Sequence, residues 1–385
     1  MKYIAKMMLA LLVSVTMAAQ AYAWDFSASG SAAATFDMTT TKPKEGDSQT
    51  TQSFASASGA VSLKSAHADG DNSYTLTYTA DVDTDGTQSS SLEDTAGSAG
   101  LDQTLSLAAS KKVGKWTASA TASQSLMEDS VTRKIAADDD TVITLTDGSM
   151  TYKLGDASHL STAEKTSDTT AAGTVDAEAR VDGFNGFSVG MAVGPGALTV
   201  ALNMDHGTGT TLMGDKSTAI ACGGQHTGFG FNFAGNVGAD LSFTYASGSS
   251  SADKTTCTGD NSSLTASANT MGLGVAIPMG TMTIALDYEA SSTTDTGETE
   301  TAVTGYEISA SIGGIADGTL VVNLSGDSSK SGDDDAVTRS GLEAGWKVPI
   351  GPTTLEVAYG SVATTNGTDD GKSVTDIEIE MSFSF

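Results

Sequence analysis

The sequence predicts an all-β fold, a closed antiparallel β-barrel that crosses a membrane, and three observations carry that prediction. Apolar side chains recur at every second position through segment after segment, the period of a strand with one oily and one wet face. Tight turns of a few residues alternate with polar loops of roughly 10 to 25, as in a barrel with short turns at one rim and long loops at the other. Beyond residue 23 no apolar run reaches the roughly 18 residues that a helical span requires, so any crossing is made by strands.

Residues 1–23 read as a secretory signal, with Lys2 and Lys6 at the positive end, Met7 to Ala19 as the apolar stretch, and Ala21, Tyr22 and Ala23 before the cleavage point. The mature chain is expected to run from Trp24 to Phe385 as one barrel domain with long outer loops. No Cys closely follows the apolar stretch, so no lipoprotein anchor is expected. The formal net charge is −28; without Lys2 and Lys6, 17 basic residues face 47 acidic ones, or −30. Such a surface repels nucleic acid and attracts cations. The richness in Gly, Ser and Thr resembles a disordered composition, but disordered chains do not place their few Leu, Phe and Tyr at alternate positions.

The first strand carries Trp24, Phe26, Ala28, Ala32, Ala34, Phe36 and Met38 on one face, with aromatics near both ends, where membrane interfaces favour them. The alternation continues through Val61 and Leu63, a turn at Ala68 to Asn72, and Tyr74, Leu76 and Tyr78. Leu101 to Ala109 lead to a turn at Lys111 to Gly114, and Trp116 to Ala122 return. A weak pair follows, around Ile143 and Leu145 and then Met150, Tyr152 and Leu154. The polar stretch Asp156 to Asp182 comes next.

The second half alternates more cleanly: Phe187 to Val193, Leu198 to Met204, Phe229 to Phe233, Leu241 to Tyr245, Leu273 to Ile277 and Met282 to Tyr288. Turns are expected at Pro278 to Gly280, at Asp317-Gly318 and at Pro349 to Pro352. Ile308 to Ile312, Leu320 to Leu324, Leu342 to Ile350 and Leu355 to Tyr359 lead to the last strand. There Ile377, Ile379, Met381, Phe383 and Phe385 alternate with Asp376, Glu378, Glu380, Ser382 and Ser384. The count is 18 strands, or 16 if the weak pair is merged or dropped.

That terminal strand, ending on an aromatic, resembles the last strand of Gram-negative outer-membrane β-barrels, in which the terminal aromatic is read by the β-barrel assembly machinery. In its strand and loop rhythm the whole chain looks most like the general diffusion porins. The resemblance implies export through the periplasm to the cell outer membrane, lipid and lipopolysaccharide around the wall, a homotrimer, and passive diffusion of ions and small hydrophilic solutes. A plugged barrel with acidic outer loops for adhesion, cation capture or envelope structure is the alternative.

Alternation places Asp287, Glu289, Glu307, Glu343, Lys347, Glu356, Asp376, Glu378 and Glu380 on the inward face, where a carboxylate-rich lining would favour cations. The Asp156 to Asp182 stretch stands where general porins carry an inward-folding constriction loop. It holds Asp156, His159, Glu164, Lys165, Asp168, Asp176, Glu178 and Arg180, with Lys153 just before it; an ordinary outer loop is the other reading. The family sets such acids against an arginine cluster, whereas this chain has only Arg133, Arg180 and Arg339, leaving Lys153 and Lys347 as the positive side. Most aromatics fall on the outward face, which disfavours a sugar-guiding channel.

Cys222 and Cys257 are the only cysteines, and in an oxidising compartment they are expected to pair, against the alternative of two free thiols. Asp81, Asp83, Asp85 and Gly86 open like a calcium loop, but position twelve is Leu92 and Glu93 comes one residue late, so a solvated loop is expected, with bound calcium as the alternative. Gly186-Phe187-Ser188-Val189-Gly190 spells a nucleophile elbow, yet lies inside an alternating strand rather than at a strand-to-helix turn. Neither this pattern nor His67, His159, His206 and His226 suggests an enzyme.

Overall fold

The computed structural model describes residues 24–83, 100–127, 141–155, 159–171, 186–207, 224–252, 265–294, 299–367 and 370–385. Among them are 18 strands and no helix. The proposed signal at 1–23 lies outside the described residues, as do Asp85, Cys222 and Cys257.

The strands run β1 (Asp25–Lys42), β2 (Gln49–Asp69), β3 (Asn72–Asp83), β4 (Gly100–Val113), β5 (Trp116–Met127), β6 (Thr141–Thr146), β7 (Met150–Gly155), β8 (Gly186–Val193) and β9 (Gly196–Gly207). They continue as β10 (Gly224–Asn236), β11 (Asp240–Ala252), β12 (Thr265–Met279), β13 (Met282–Thr294), β14 (Glu300–Ile315), β15 (Gly318–Ser331), β16 (Val337–Ile350), β17 (Thr353–Thr365) and β18 (Ser373–Ser384). They form one antiparallel sheet in sequence order, and pairing of β1 with β18 closes it. The weak segments 141–146 and 150–155 are strands of their own, which excludes the 16-strand count.

Two compact units make up the chain. One comprises the described part of Met1–Ala33 with Ser56–Gly148 and Phe383–Phe385; the other comprises Ala34–Ala55 and Ser149–Ser382. Within the first, Phe385 donates its N–H to the Gly30 carbonyl (2.9 Å) and accepts from the Gly30 N–H (3.0 Å), so the last residue is laddered to the first strand. Its ring lies over Gly30, where a Cβ would come 2.4 Å from Phe385 Cζ.

In the second unit burial is inverted relative to a water-soluble protein. Glu289, Glu343, Asn323, Thr244 and Ser188 are its largest fully buried side chains, whereas Leu286, Tyr306, Ile308, Leu324 and Tyr359 are exposed. Alternation along β13 and β14 produces this: Asp287, Glu289, Glu307 and Ser309 point inward and their apolar neighbours outward. A wall with hydrocarbon outside and polar groups inside has this pattern.

Four expected turns shift. Lys111 to Val113 belong to β4, and Pro278 and Pro349 lie inside ladders, opposite Thr283 and Thr354, so the chain reverses later than the prolines suggest. The turn expected at Asp317-Gly318 is made by Ala316 and Asp317, both at positive φ (48° and 62°). Between the Gly313–Thr319 and Ile315–Gly318 pairs the register shifts, with Gly314, at φ 82°, an extra residue in β14. The 332–336 loop is also shorter than expected, because β15 and β16 extend toward it.

Candidate functional site

Residues 159–171 do not extend outward from the wall. They run along the inward faces of β8 and β10 to β17, all within the second unit. The Ser161 carbonyl accepts from Thr244 Oγ1 (2.7 Å) on β11 and Asn232 Nδ2 (3.3 Å) on β10, and the Ala163 carbonyl accepts from Ser242 Oγ. Farther on, the loop becomes the donor. Asp287 on β13 receives the Lys165 N–H (2.9 and 2.8 Å), the Thr166 N–H (2.6 Å) and the Thr166 hydroxyl (2.6 Å). The Ser167 N–H reaches Ser309 Oγ on β14 at 3.0 Å, and Asn323 Nδ2 on β15 donates to Asp168 Oδ1 at 2.8 Å. The Thr169 and Thr170 N–H groups reach Glu343 on β16 (3.0 Å) and Glu356 on β17 (3.3 Å).

The spacing explains why so few residues cover so much wall. From Ser161 to Thr170 the loop takes nine steps, about 30 Å of extended chain, while β11 to β17 are six strand intervals of about 4.8 Å, or about 29 Å. The segment is therefore almost fully extended across the strands, passing one wall group after another. Glycines give it room: a Cβ at Gly274 would lie 1.7 Å from the Ala163 carbonyl oxygen, and one at Gly345 would lie 2.6 Å from Thr169 Cγ2.

The start of the loop is fixed by His159. Its Nε2 lies 3.1 Å from the Gly155 carbonyl and must carry the proton, so Nδ1, 2.8 Å from Ser188 Oγ, accepts the serine hydroxyl. Both side chains are buried. Burial holds the His159 pKa below its ordinary 6.5, with the nearby Lys153 acting in the same direction against the opposing Gly155 bond. The contact joins two residues that sequence reading kept apart, the elbow-pattern serine and a loop histidine. The group oriented by Nε2 is a backbone carbonyl rather than a carboxylate, which is an anchor rather than an acyl-transfer set.

The nine inward-facing candidates fall into distinct groups. Asp287, Glu343 and Glu356 hold loop amides, and Glu356 also pairs with Lys347 at 3.2 Å. Glu307 receives Asn323 Nδ2, bringing it beside Asp168. Glu289 is buried with Gly272 and Gly305 as its register neighbours. Asp376, Glu378 and Glu380 lie on β18, where Glu378 stands beside Thr170 of the loop; Thr39 joins Asp376 to Asp37, an acid that inspection of the strands had not singled out.

Of the loop candidates, Glu164 and Asp168 are exposed, Asp168 with its carboxylate held by Asn323 of the wall, and Lys153 stands on β7 opposite Ser188. Asp156, Asp176, Glu178 and Arg180 lie outside the described residues. Asp81 and Asp83 lie at the end of β3, and among the described residues no cluster of three metal-ligating side chains occurs. Asn232, Ser242, Thr244, Ser309 and Asn323, which hold the loop, are ordinary inward polar positions in the sequence. A signal was nevertheless present: Asp287, Glu307, Glu343 and Glu356 supply one inward acid from each of four strands.

No family model matches the chain, and no curated protein matches it. Among solved structures it is similar to the anion-selective porin from Comamonas acidovorans (TM-score 0.53, 11% identity, 94% of this chain and 100% of that one). It is similar also to Pseudomonas aeruginosa OccK9 (OpdG) (0.53, 9%, 93% and 98%) and to Acinetobacter baumannii OccAB4 (0.52, 10%, 93% and 98%). At these identities the likeness is one of fold: the chain has the closed antiparallel barrel of outer-membrane porins.

Proposed function

We propose that this protein is an outer-membrane channel for the passive diffusion of ions and small hydrophilic solutes, with preference for cations, and that it works as a homotrimer. The observation that carries the reading is the loop lying flat along a polar inner wall. A barrel of about 16 to 18 strands is wide enough for an aqueous lumen, and a strap clamped to the wall narrows that lumen without filling it. Cation preference rests on the exposed Glu164 and Asp168 of the strap together with the inward carboxylates of β18, Asp376, Glu378 and Glu380. The anion-selective relative has the same fold, so selectivity lies in these side chains. Export through the periplasm, insertion by the β-barrel assembly machinery and a surround of lipid and lipopolysaccharide complete the proposal.

Planar-bilayer recording of the purified protein tests it. Ohmic steps in multiples of three, with a reversal potential in a potassium chloride gradient on the cation side, are expected. A folded barrel that conducts nothing would support the adhesive or structural alternative.

A further inference from the structure

Strand β5 presents alanine at three successive outward positions, Ala118, Ala120 and Ala122, all exposed. Its neighbours stand higher. On β6, Leu145 and Ile143 lie opposite Ala118 and Ala120 in register and are 38% and 52% exposed; on β4, Leu107 lies opposite Ala122 and Lys111 opposite Ala118. A furrow therefore runs along β5 between two ridges, all of it within the first unit. Trp116, paired with Val113, closes the furrow at the β4–β5 turn, and the Lys115 ammonium lies 5.1 Å from the centre of the Trp116 ring. Lys111, the diagonal neighbour of Trp116, is exposed and makes no ion pair among the described residues. Lys115 pairs with Asp147 at 2.9 Å, yet its side chain stays 70% exposed. Among the turns of two or three residues that join the strands, only Gly114-Lys115 carries a lysine.

Resting on the outer-membrane reading above, we propose that this furrow seats one acyl chain of an anionic glycerophospholipid of the periplasmic leaflet, with its phosphate held by Lys111 and Lys115. The length of the furrow suits the chain. Six steps from Trp116 to Ala122 span about 20 Å of strand, and a tilt of about 40° turns this into about 15 Å of depth, half of a hydrocarbon core of about 30 Å. The lysines stand at the short-turn end, which in such barrels faces the periplasm, where glycerophospholipid rather than lipopolysaccharide forms the leaflet. Charge selects the headgroup. The two lysines less Asp147 leave one positive charge, the complement of one phosphodiester, whereas a headgroup ammonium would be set against both lysines. Asp69 lies on the same outward row but two strands from Lys111, across Asn72. An indole beside the lysines also suits the boundary between chain and headgroup.

The test is native mass spectrometry of the full mature protein, released from detergent after equilibration with equimolar phosphatidylglycerol, phosphatidylethanolamine and lipopolysaccharide at fixed magnesium. Severalfold enrichment of phosphatidylglycerol over the other two is expected. Lys111→Gln should abolish it by removing charge, and Ala120→Leu by filling the furrow; both positions are exposed, so neither change disturbs buried packing. Lys330→Gln, beside the 332–336 loop, should leave the enrichment intact. Equal or greater retention of phosphatidylethanolamine or lipopolysaccharide, or enrichment that survives either Lys111→Gln or Ala120→Leu, would overturn the site while leaving the channel standing. A protein that stays soluble without detergent and retains none of the three would remove the membrane reading together with the site.

Discussion

The carbonyl oxygen of Ala163 lies directly over Gly274, so close that a Cβ at 274 would stand 1.7 Å from it. The strap passes over β12 at a point where the wall has no side chain, then gives the Lys165 and Thr166 amides to Asp287. A residue that packs nothing itself thus decides how near the loop can come to the wall.

Replacing Gly274 with Ala should therefore lift the strap, because the obstructing atom is backbone and cannot rotate away. A loss of about 1 to 3 kcal/mol, in the range for overpacking, is expected in denaturant unfolding, together with noisier single-channel current. Gly345→Ala should cost less, since the Cβ there meets the side chain of Thr169, which can change rotamer. Equal effects of the two substitutions would mean that the strap is not held by fit at Gly274.

Asp287→Asn tests the clamp by chemistry rather than by volume. The carboxylate accepts from two backbone N–H groups and one hydroxyl, and an amide would turn an NH2 toward some of those donors. Losing charge-assisted bonds and stranding a partly buried donor should cost about 2 to 3 kcal/mol. Protease cleavage within 159–171 should accelerate in this variant and not in Glu380→Gln, whose target lies on β18 away from the strap.

The wall was legible in the sequence because its physics is local: a period of two follows from one oily and one wet face, so Leu286, Asp287, Tyr288 and Glu289 declare their sides unaided. The strap was not. Its residues, Ser161 to Ala171, carry no periodicity, and their partners lie far along the chain, with Thr169 and Glu343 174 positions apart. Gly274 reads like any strand glycine until the strap crosses it. The same blindness extends to His159 and Ser188, one in a loop and one in a strand, whose meeting depends on how the strap begins.

Selectivity should separate from stability along the division of acids just described. Neutralising Asp376, Glu378 and Glu380 together should move the reversal potential toward zero, at a smaller cost in unfolding than the strap-holding set, a cost set by the buried Asp376 that Thr39 bonds. Neutralising Asp287, Glu343 and Glu356 together should loosen the strap and alter conductance noise first. Reversal potentials in a potassium chloride gradient, measured beside denaturant midpoints for both triple variants, check the division. If the second set moved the reversal potential more than the first, the clamped carboxylates would be the ones that ions feel.

Acid should act on the strap through His159. Burial holds its pKa in the folded protein below the ordinary 6.5, so on acidification the unfolded chain takes up a proton before the folded one does. Stability then rises with pH through the region below about 6.5 and falls on acidification there. The geometry gives the sign a cause: Nδ1 is the acceptor for the Ser188 hydroxyl, and protonating it removes that acceptor and buries a charge near Lys153. His159→Gln, which can keep an acceptor for Ser188 and a donor for Gly155, should flatten this part of the profile. The difference in melting temperature between wild type and His159→Gln, followed from pH 8 to pH 5, isolates the histidine from the many carboxylates; a difference that stays constant across that range would mean that His159 does not titrate against folding.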